Sequence, residues 1–207
     1  MGGRDAVDIQ LSLEYNVKKT NIGGISMKLM IASDLHGSAH WCRKLLDAFD
    51  REGADRLLLL GDLLYHGPRN PLPEGYAPME VAELLNARRG EIFCVRGNCD
   101  SEVDQMVLQL PILADYCLVM VGKRCVFATH GHHHNTEALP PLRTGDILLH
   151  GHTHLPAWEV CGEGNFYFNP GSVSLPKEGT PHGYMIFTER EAVWKTMDGE
   201  IYHTQDL

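Results

Sequence analysis

The 207-residue sequence lacks a long hydrophobic run and lacks closely spaced cysteine pairs. Its longest uninterrupted apolar stretch covers only residues 116–121, whereas a membrane-spanning helix needs about 20 residues. The six cysteines are dispersed and contain no C-x-x-C pair, and a chain of this size does not depend on disulfides. We therefore predict reduced thiols in a cytoplasmic protein without a spanning helix.

Positive charge is also scarce. Eighteen Lys and Arg against 27 Asp and Glu give a formal net charge of −9. This balance opposes non-specific adhesion to nucleic acid or to an anionic membrane, so we expect neither stable nucleic-acid binding nor membrane association. An anionic substrate would have to be attracted locally, and a metal ion is the obvious means.

The chain divides into a short leader and one patterned region. Residues 1–26 carry scattered charges and no apolar stretch long enough for a secretory segment, so we interpret them as an extension that is disordered or non-native. Regular patterns begin at Met27, and we predict a single domain over residues 27–207.

Hydrophobic periodicity within that domain predicts alternating strands and helices, followed by a largely antiparallel β region. Short buried strands at 28–33, 56–60 and 92–95 are separated by two helices, the first ending near Gly53. A hairpin follows over 115–121 and 124–129, and then short strands at 147–150, 158–161, 166–168, 184–188 and 192–196. The fold class is therefore α/β.

The reactive side chains lie just past the ends of these strands. The seven candidates, found at five strand ends, are Asp34, His36, Asp62, Asn98, His130, His152 and His154. Carboxyl ends of strands converge in open α/β sheets, so we predict one shared site. The i and i+2 spacing in Asp34/His36 and His152/His154 directs each pair to one side if the backbone is extended. His, Asp and Asn without Cys favour Mn²⁺, Fe²⁺, Zn²⁺ or Ni²⁺.

The ordered set DxH…GD…GN…H…GHxH resembles the calcineurin-like metallophosphoesterase superfamily. The segments MKLMIASDLHG, VRGNCDSEVDQM and GHTHLP are similar to its bacterial YfcE-type phosphodiesterase subgroup, and the resemblance runs from Met27 to about Phe187. It implies a four-layer αββα sandwich of two mixed β-sheets flanked by helices, with a dinuclear metal site at its edge.

The resemblance also implies a division of the ligands between two divalent ions. One ion would take Asp34, His36 and His154, the other Asn98, His130 and His152, and Asp62 would bridge them. Mn²⁺ is our first expectation, with Zn²⁺, Ni²⁺, Fe²⁺ and Mg²⁺ as alternatives. A hydroxide bridging the two ions would attack a phosphodiester in line, because metal binding lowers the pKa of water towards about 7.

Asn98, Cys99 and Asp62 are the predicted catalytic residues. Many superfamily members carry GNH, where the His protonates the leaving oxygen, but this chain has Cys99 at that position. A thiol is a weaker acid than an imidazolium, which favours leaving groups that need little protonation. His132 and Arg96 are the predicted substrate-binding residues, and Arg69 is a further candidate cation for phosphate.

Three functions share this pattern. The first is a metal-dependent phosphodiesterase that hydrolyses small or nucleotide-like phosphodiesters. The second is a protein-interaction scaffold of the same fold, as in the small subunit of retromer, although a pure scaffold has no need of seven ligand-type residues. The third is a phosphomonoesterase or protein phosphatase, which the absence of an Arg close behind Gly61-Asp62 weakens. The sequence is also compatible with a homo-oligomer.

Overall fold

The computed structural model describes residues 27–207. The prediction made for residues 1–26 lies outside this range. The helices are α1 (Ala39–Glu52), α2 (Pro78–Ala87) and α3 (Glu102–Val107). The strands are β1 (Leu29–Ala32), β2 (Arg56–Leu59), β3 (Ile92–Cys94), β4 (Tyr116–Val121), β5 (Arg124–Thr129), β6 (Ile147–Leu149), β7 (Pro156–Cys161), β8 (Asn165–Pro170), β9 (Gly183–Phe187), β10 (Glu191–Thr196) and β11 (Ile201–Asp206). None of the described helices is long and apolar enough to cross a membrane.

Two mixed sheets organise these strands. The six-stranded sheet has the order β11-β10-β9-β1-β2-β3, with β1, β2 and β3 parallel and the other three joined antiparallel. The five-stranded sheet has the order β4-β5-β6-β8-β7, with β5, β6 and β8 parallel. The predicted class, two mixed sheets combined with helices, is confirmed.

Strand β1 is apolar on both faces because both faces are covered. Met30 and Ala32 join the core beneath the helices, and Leu29 and Ile31 join the core between the two sheets. The inner face of the second sheet contributes Phe168 to that same central core. The sheets therefore pack face to face.

Helix α1 begins and ends at the signals that its sequence carries. The Ser38 hydroxyl accepts a hydrogen bond from Trp41 N at 3.2 Å, and Gly53 ends the helix in the left-handed conformation with its N–H donating to Asp50 O. The buried side of the helix, which includes Leu45 and Phe49, packs on the first sheet.

The structure differs from the sequence-based expectation in three places. Helix α3 was not predicted, because none of its residues is buried and it is set by the capping box of Ser101 and Asp104 rather than by an apolar stripe. Strand β11 was also missed, since it is a half-exposed edge. Finally, the described residues place no helix on the outer face of the second sheet, where Leu142 from an irregular segment packs on Phe127 and Leu148.

Candidate metal centre

The loops after β1, β2, β3, β5 and β6 meet between the two sheets, as the sequence predicted. Potential ligand atoms of Asp34, His36 and His154 lie within 4.8 Å of one another, and so do those of Asp34, Asp62 and His130. The side chains of Asn98 and His152 each lie about 3 Å from His130. The seven predicted residues therefore form one cluster.

Backbone carbonyls fix the orientation of three of the four histidine rings. The Nδ1 atoms of His36, His130 and His154 lie 2.9, 2.7 and 2.6 Å from the carbonyl oxygens of Tyr65, Leu60 and Leu175. A carbonyl can only accept, so each Nδ1 carries a hydrogen and donates it. A ring in its neutral form then directs its Nε2 lone pair into the cluster, which is the arrangement of metal-binding histidines.

In the first half of the cluster, three acceptors face one another. His36 Nε2 lies 3.1 Å from His154 Nε2, and Asp34 Oδ1 lies 3.3 Å from His154 Nε2 and 3.6 Å from His36 Nε2. Asp34 Oδ1 is buried and accepts no hydrogen bond from the described residues. Lone pairs this close repel unless a proton or a metal cation lies between them, and the donor set of two imidazoles and a carboxylate fits a divalent ion.

In the second half of the cluster, potential ligand atoms again lie close together, but some of these side chains are more exposed to solvent. His130 Nε2 lies 3.0 Å from Asn98 Oδ1 and 3.1 Å from His152 Nδ1. Asp62 Oδ2 lies 3.6 Å from His36 Nε2 and 3.5 Å from His130 Nε2, so it stands between the two halves. Asp34, His36 and His154 are buried, whereas His152 is half-buried and Asn98 is exposed.

Charge within the cluster is strongly coupled. Burial by itself raises the pKa of Asp34, but contacts with His154 and His36 hold that pKa well below its usual value. Burial lowers the pKa of His130, yet its contact with Asp62 and the charges of Asp34 and Asp62 raise it to about 9. Because ligands bind metal in their deprotonated form, a bound cation would replace such protons.

Five of the seven residues have left-handed backbone. The φ values are 61° for Asp34, 47° for His36, 56° for Asp62, 67° for His152 and 64° for His154. The inference that each i, i+2 pair is directed by extended backbone is therefore wrong, and sharp turns bring the side chains together instead. Such conformations cost about 1–3 kcal/mol per residue and concentrate at functional sites.

Comparison with known proteins agrees with this geometry. The family model described as the calcineurin-like phosphoesterase superfamily domain matches residues 27–192. The chain belongs to this superfamily. It is 55% identical over 158 residues to Phosphodiesterase YfcE of Escherichia coli (strain K12), an alignment that covers 76% of this chain and 85% of that protein. The predicted resemblance and the prediction of a metallophosphoesterase enzyme are confirmed.

Solved structures extend the comparison. The phosphoesterase Yfce from E. coli superposes with a TM-score of 0.83 at 49% identity and covers 86% of this chain and 98% of its own. Vacuolar Protein Sorting 29 from Cryptosporidium parvum has a TM-score of 0.57 at 17% identity, covering 88% of this chain and 98% of that chain. The second likeness shows the fold alone.

Asp100 fixes the loops that carry two members of this candidate site. Its carboxylate accepts hydrogen bonds from the backbone N–H groups of Asp62 at 2.9 Å, Leu63 at 2.9 Å and Gly97 at 2.7 Å. Burial raises the pKa of Asp100 to about 6. A Cβ at Gly97 would collide with the Asp62 side chain, which explains the glycine before Asn98. Sequence reasoning assigned Asp100 no role, because its partners are backbone groups.

The segment after β8 supports Asp34. The hydroxyls of Ser172 and Ser174 each donate to Asp34 O at 3.0 Å, and Val173 N donates to Ser33 O at 2.9 Å. These hydrogen bonds hold the strained Asp34 backbone in place.

A cavity of about 520 Å³ opens onto the cluster. Asp62, Asn98, Cys99, His152 and His154 line it together with Gly67, Pro68, Arg69, Asn70, Thr153 and Lys177. The predicted substrate residues His132 and Arg96 line a separate cavity of about 210 Å³ that shares Asn98. Arg96 Nε also donates to Asp100 O at 3.3 Å, and its guanidinium pairs with Glu102. Arg69 and Lys177 are thus the cations in the larger cavity.

Proposed function

We propose that this protein is a phosphodiesterase that uses two divalent metal ions, Mn²⁺ in the first instance, to hydrolyse small or nucleotide-like phosphodiesters. Asp34, His36 and His154 would hold one ion and Asn98, His130 and His152 the other, with Asp62 shared. The relative named Phosphodiesterase YfcE, at 55% identity, supports the diester preference. We also retain the predictions of one domain over residues 27–207 and of a cytoplasmic location, the latter supported by six free cysteines.

The observation that carries this proposal is the close approach of buried metal-ligand atoms that have no Lys or Arg partner among the described residues. A buried carboxylate oxygen and two imidazole nitrogens face one another at 3.1 to 3.6 Å in the first half of the cluster. Burying such groups without a compensating charge costs several kcal/mol. A pair of cations removes that cost, and the left-handed backbone of five ligands supports the same conclusion.

Bound divalent ions would supply a water of lowered pKa as nucleophile and positive charge for the phosphoryl oxygens. The residues of the chain orient the reactants. Asn98, exposed at the mouth of the cavity, can donate its amide to a phosphoryl oxygen as charge develops. The oxygen of that water would bond to phosphorus after its proton is released to solvent, the ester bond to the leaving oxygen would break, and the leaving oxygen would take up a proton.

Cys99 is our proposed source of that proton. It lines the cavity, and its backbone N–H donates to Asp62 Oδ1 at 2.8 Å. Burial, and then the charge of Asp62, raise the pKa of its thiol far above the usual value. The thiol therefore stays protonated but is a reluctant donor, which favours substrates with good leaving groups.

The test is to strip the protein with chelator and assay bis(p-nitrophenyl) phosphate against p-nitrophenyl phosphate with Mn²⁺, Zn²⁺, Ni²⁺ or Mg²⁺ added separately. We expect the diester to be hydrolysed only after metal is restored. Hydrolysis of the monoester alone would replace the proposal with a phosphomonoesterase. Inactivity with every metal would favour a scaffold.

A further inference from the structure

Two exposed cations share the cavity with the ligand cluster. Arg69 and Lys177 both line it, and Asp62 is the one carboxylate among its described lining residues. Within residues 27–207 neither cation forms an ion pair, whereas Lys28, Arg88 and other basic residues do. In a chain of net charge −9, two cations without carboxylate partners beside one cavity form a local positive site.

The loops that carry these cations are tied to the ligand cluster. The loop that carries Arg69 begins at Tyr65, whose carbonyl accepts from His36 Nδ1 at 2.9 Å, and Asn70 closes it by donating to His66 O at 2.9 Å. The backbone of Arg69 is therefore fixed relative to the site while its side chain stays exposed.

Lys177 is anchored in the same way. Its backbone N–H donates to the carbonyl of His154 at 3.3 Å, and its own carbonyl accepts from Thr180 N at 3.0 Å and from Thr180 Oγ1 at 2.8 Å. The position of this lysine in the chain is thus set by a predicted metal ligand.

The scissile group alone does not account for these cations. A phosphodiester carries one negative charge, and two divalent ions with Asp34, Asp62 and a hydroxide nucleophile already balance it. The 520 Å³ volume is typical of sites for whole small molecules and exceeds what a bare diester group needs. Arg69 and Lys177 thus face space that the rest of a substrate occupies.

We propose that Arg69 and Lys177 form an anion subsite for a second, non-scissile phosphate, so that preferred substrates are phosphodiesters bearing another phosphate on one arm. A 5′-phosphorylated dinucleotide is a substrate of this class. This inference rests on the proposed phosphodiesterase function. Arginine offers a planar fork for two phosphate oxygens, and lysine adds a point charge.

The experiment compares a dinucleotide with its 5′-phosphorylated form, which share the scissile bond and differ by one phosphate. We expect the Mn²⁺-loaded protein to favour the phosphorylated form by about tenfold in kcat/KM, through KM. Arg69→Gln and Lys177→Gln should each reduce that preference about threefold to fivefold. Hydrolysis of bis(p-nitrophenyl) phosphate, which lacks a second charge, should fall less in these variants than hydrolysis of the phosphorylated dinucleotide.

Arg56→Gln and Lys123→Gln are the charge-matched controls. Both residues are exposed, and each precedes or begins a strand at the end away from the ligand cluster. They should leave the preference unchanged. Equal use of the two dinucleotides together with normal hydrolysis of the aryl diester would overturn the subsite alone, whereas loss of the aryl activity in the unaltered protein would overturn the proposed function.

Inhibition gives a readout independent of dinucleotide turnover. Adenosine 3′,5′-bisphosphate and adenosine 3′-monophosphate are compared as competitive inhibitors of aryl diester hydrolysis. We expect the bisphosphate to bind about tenfold more tightly, and Arg69→Gln to erase most of that difference. Equal inhibition constants in the unaltered protein would overturn the subsite.

Discussion

The buried carboxylates near the two ends of strand β1 differ in the partners that compensate their charge. Near its start, the Glu52 carboxylate is 8% exposed and is met by Lys28 Nζ at 3.2 Å, Lys195 Nζ at 2.7 Å and the Tyr184 hydroxyl at 2.8 Å. Past its end, the fully buried Asp34 carboxylate has no Lys or Arg partner among the described residues, and the basic side chains that approach it are histidines. One end is neutralised by the chain itself, and the other is not.

This difference separates structural charge from functional charge. The Glu52 cluster is complete without any addition and contains no left-handed ligand backbone. The Asp34 end combines carboxylates without Lys or Arg partners, facing ligand atoms and five left-handed residues, all of which cost stability, and a bound cation would offset the electrostatic part of that cost. A protein retains such a cost where function needs it.

Removing the shared carboxylate should give the largest effect. We expect Asp62→Ala to lower kcat/KM for bis(p-nitrophenyl) phosphate by about 10³-fold or more, because both proposed metal positions lose a ligand. Asp47→Ala, on the exposed side of α1, is the matched control and should leave turnover unchanged. Near-normal turnover by Asp62→Ala would contradict the assignment.

Metal binding should stabilise the protein through the ligand cluster, independently of the Glu52 cluster. At a free Mn²⁺ concentration 100 times the Kd, each occupied position should add about 2.7 kcal/mol to the free energy of unfolding. Thermal unfolding of chelator-treated protein with and without Mn²⁺ measures this. Glu52→Gln should keep the whole metal-induced shift in Tm. Loss of that shift in this variant would show that metal binding depends on the Glu52 cluster, which contradicts the independence of the two ends.

The Glu52 cluster should contribute a pH-dependent share of stability. Burial raises the pKa of Glu52, but its hydrogen bonds with Lys195, Tyr184 and Lys28 outweigh burial and lower it. Because the folded pKa is depressed, this stability is present above the unfolded pKa and is lost as the pH falls through the folded pKa.

We therefore expect Glu52→Gln to cost about 2 kcal/mol at pH 7. The gap from the unaltered protein should close as the pH falls below about 4.5, near the ordinary pKa of glutamate. Urea unfolding of both proteins between pH 7 and pH 3 measures it. A gap independent of pH would show that the charge is not responsible.

Relieving one strained residue should give the smallest effect and the opposite sign. His152 has φ 67°, and glycine adopts this conformation without a Cβ penalty. We expect His152→Gly to stabilise the metal-free protein by about 1 kcal/mol while weakening Mn²⁺ binding. Destabilisation of the metal-free variant would argue against stored strain at this position.

The site residues could be predicted because their chemistry and their positions after strands are both written in the sequence. The left-handed backbone conformation that brings them together could not be predicted. The i, i+2 spacing predicted extended backbone for Asp34 and His36, yet Asp34 has left-handed backbone and its carbonyl accepts hydrogen bonds from the distant residues Ser172 and Ser174. Asp100 acts only on backbone groups, which leave no mark on side-chain patterns.

The secondary structure elements also differ in whether local sequence patterns predict them. Strands β1 and β2 could be predicted because both faces are buried and the sequences are continuously apolar over residues 29–32 and 57–59. Helix α3 buries nothing, so periodicity carries no signal for it. The covering of the second sheet by an irregular segment around Leu142 depends on long-range packing against Phe127 and Tyr167, which local pattern does not encode.

Counting bound metal tests the central claim most directly. Chelator-treated protein is dialysed to equilibrium against Mn²⁺, and the metal bound per chain is measured by elemental analysis. The uncompensated acceptors at the carboxyl end of β1 predict two ions per chain, and fewer after Asp62→Ala. A chain that binds no Mn²⁺, Zn²⁺, Ni²⁺, Fe²⁺ or Mg²⁺ at saturating concentration would contradict the account.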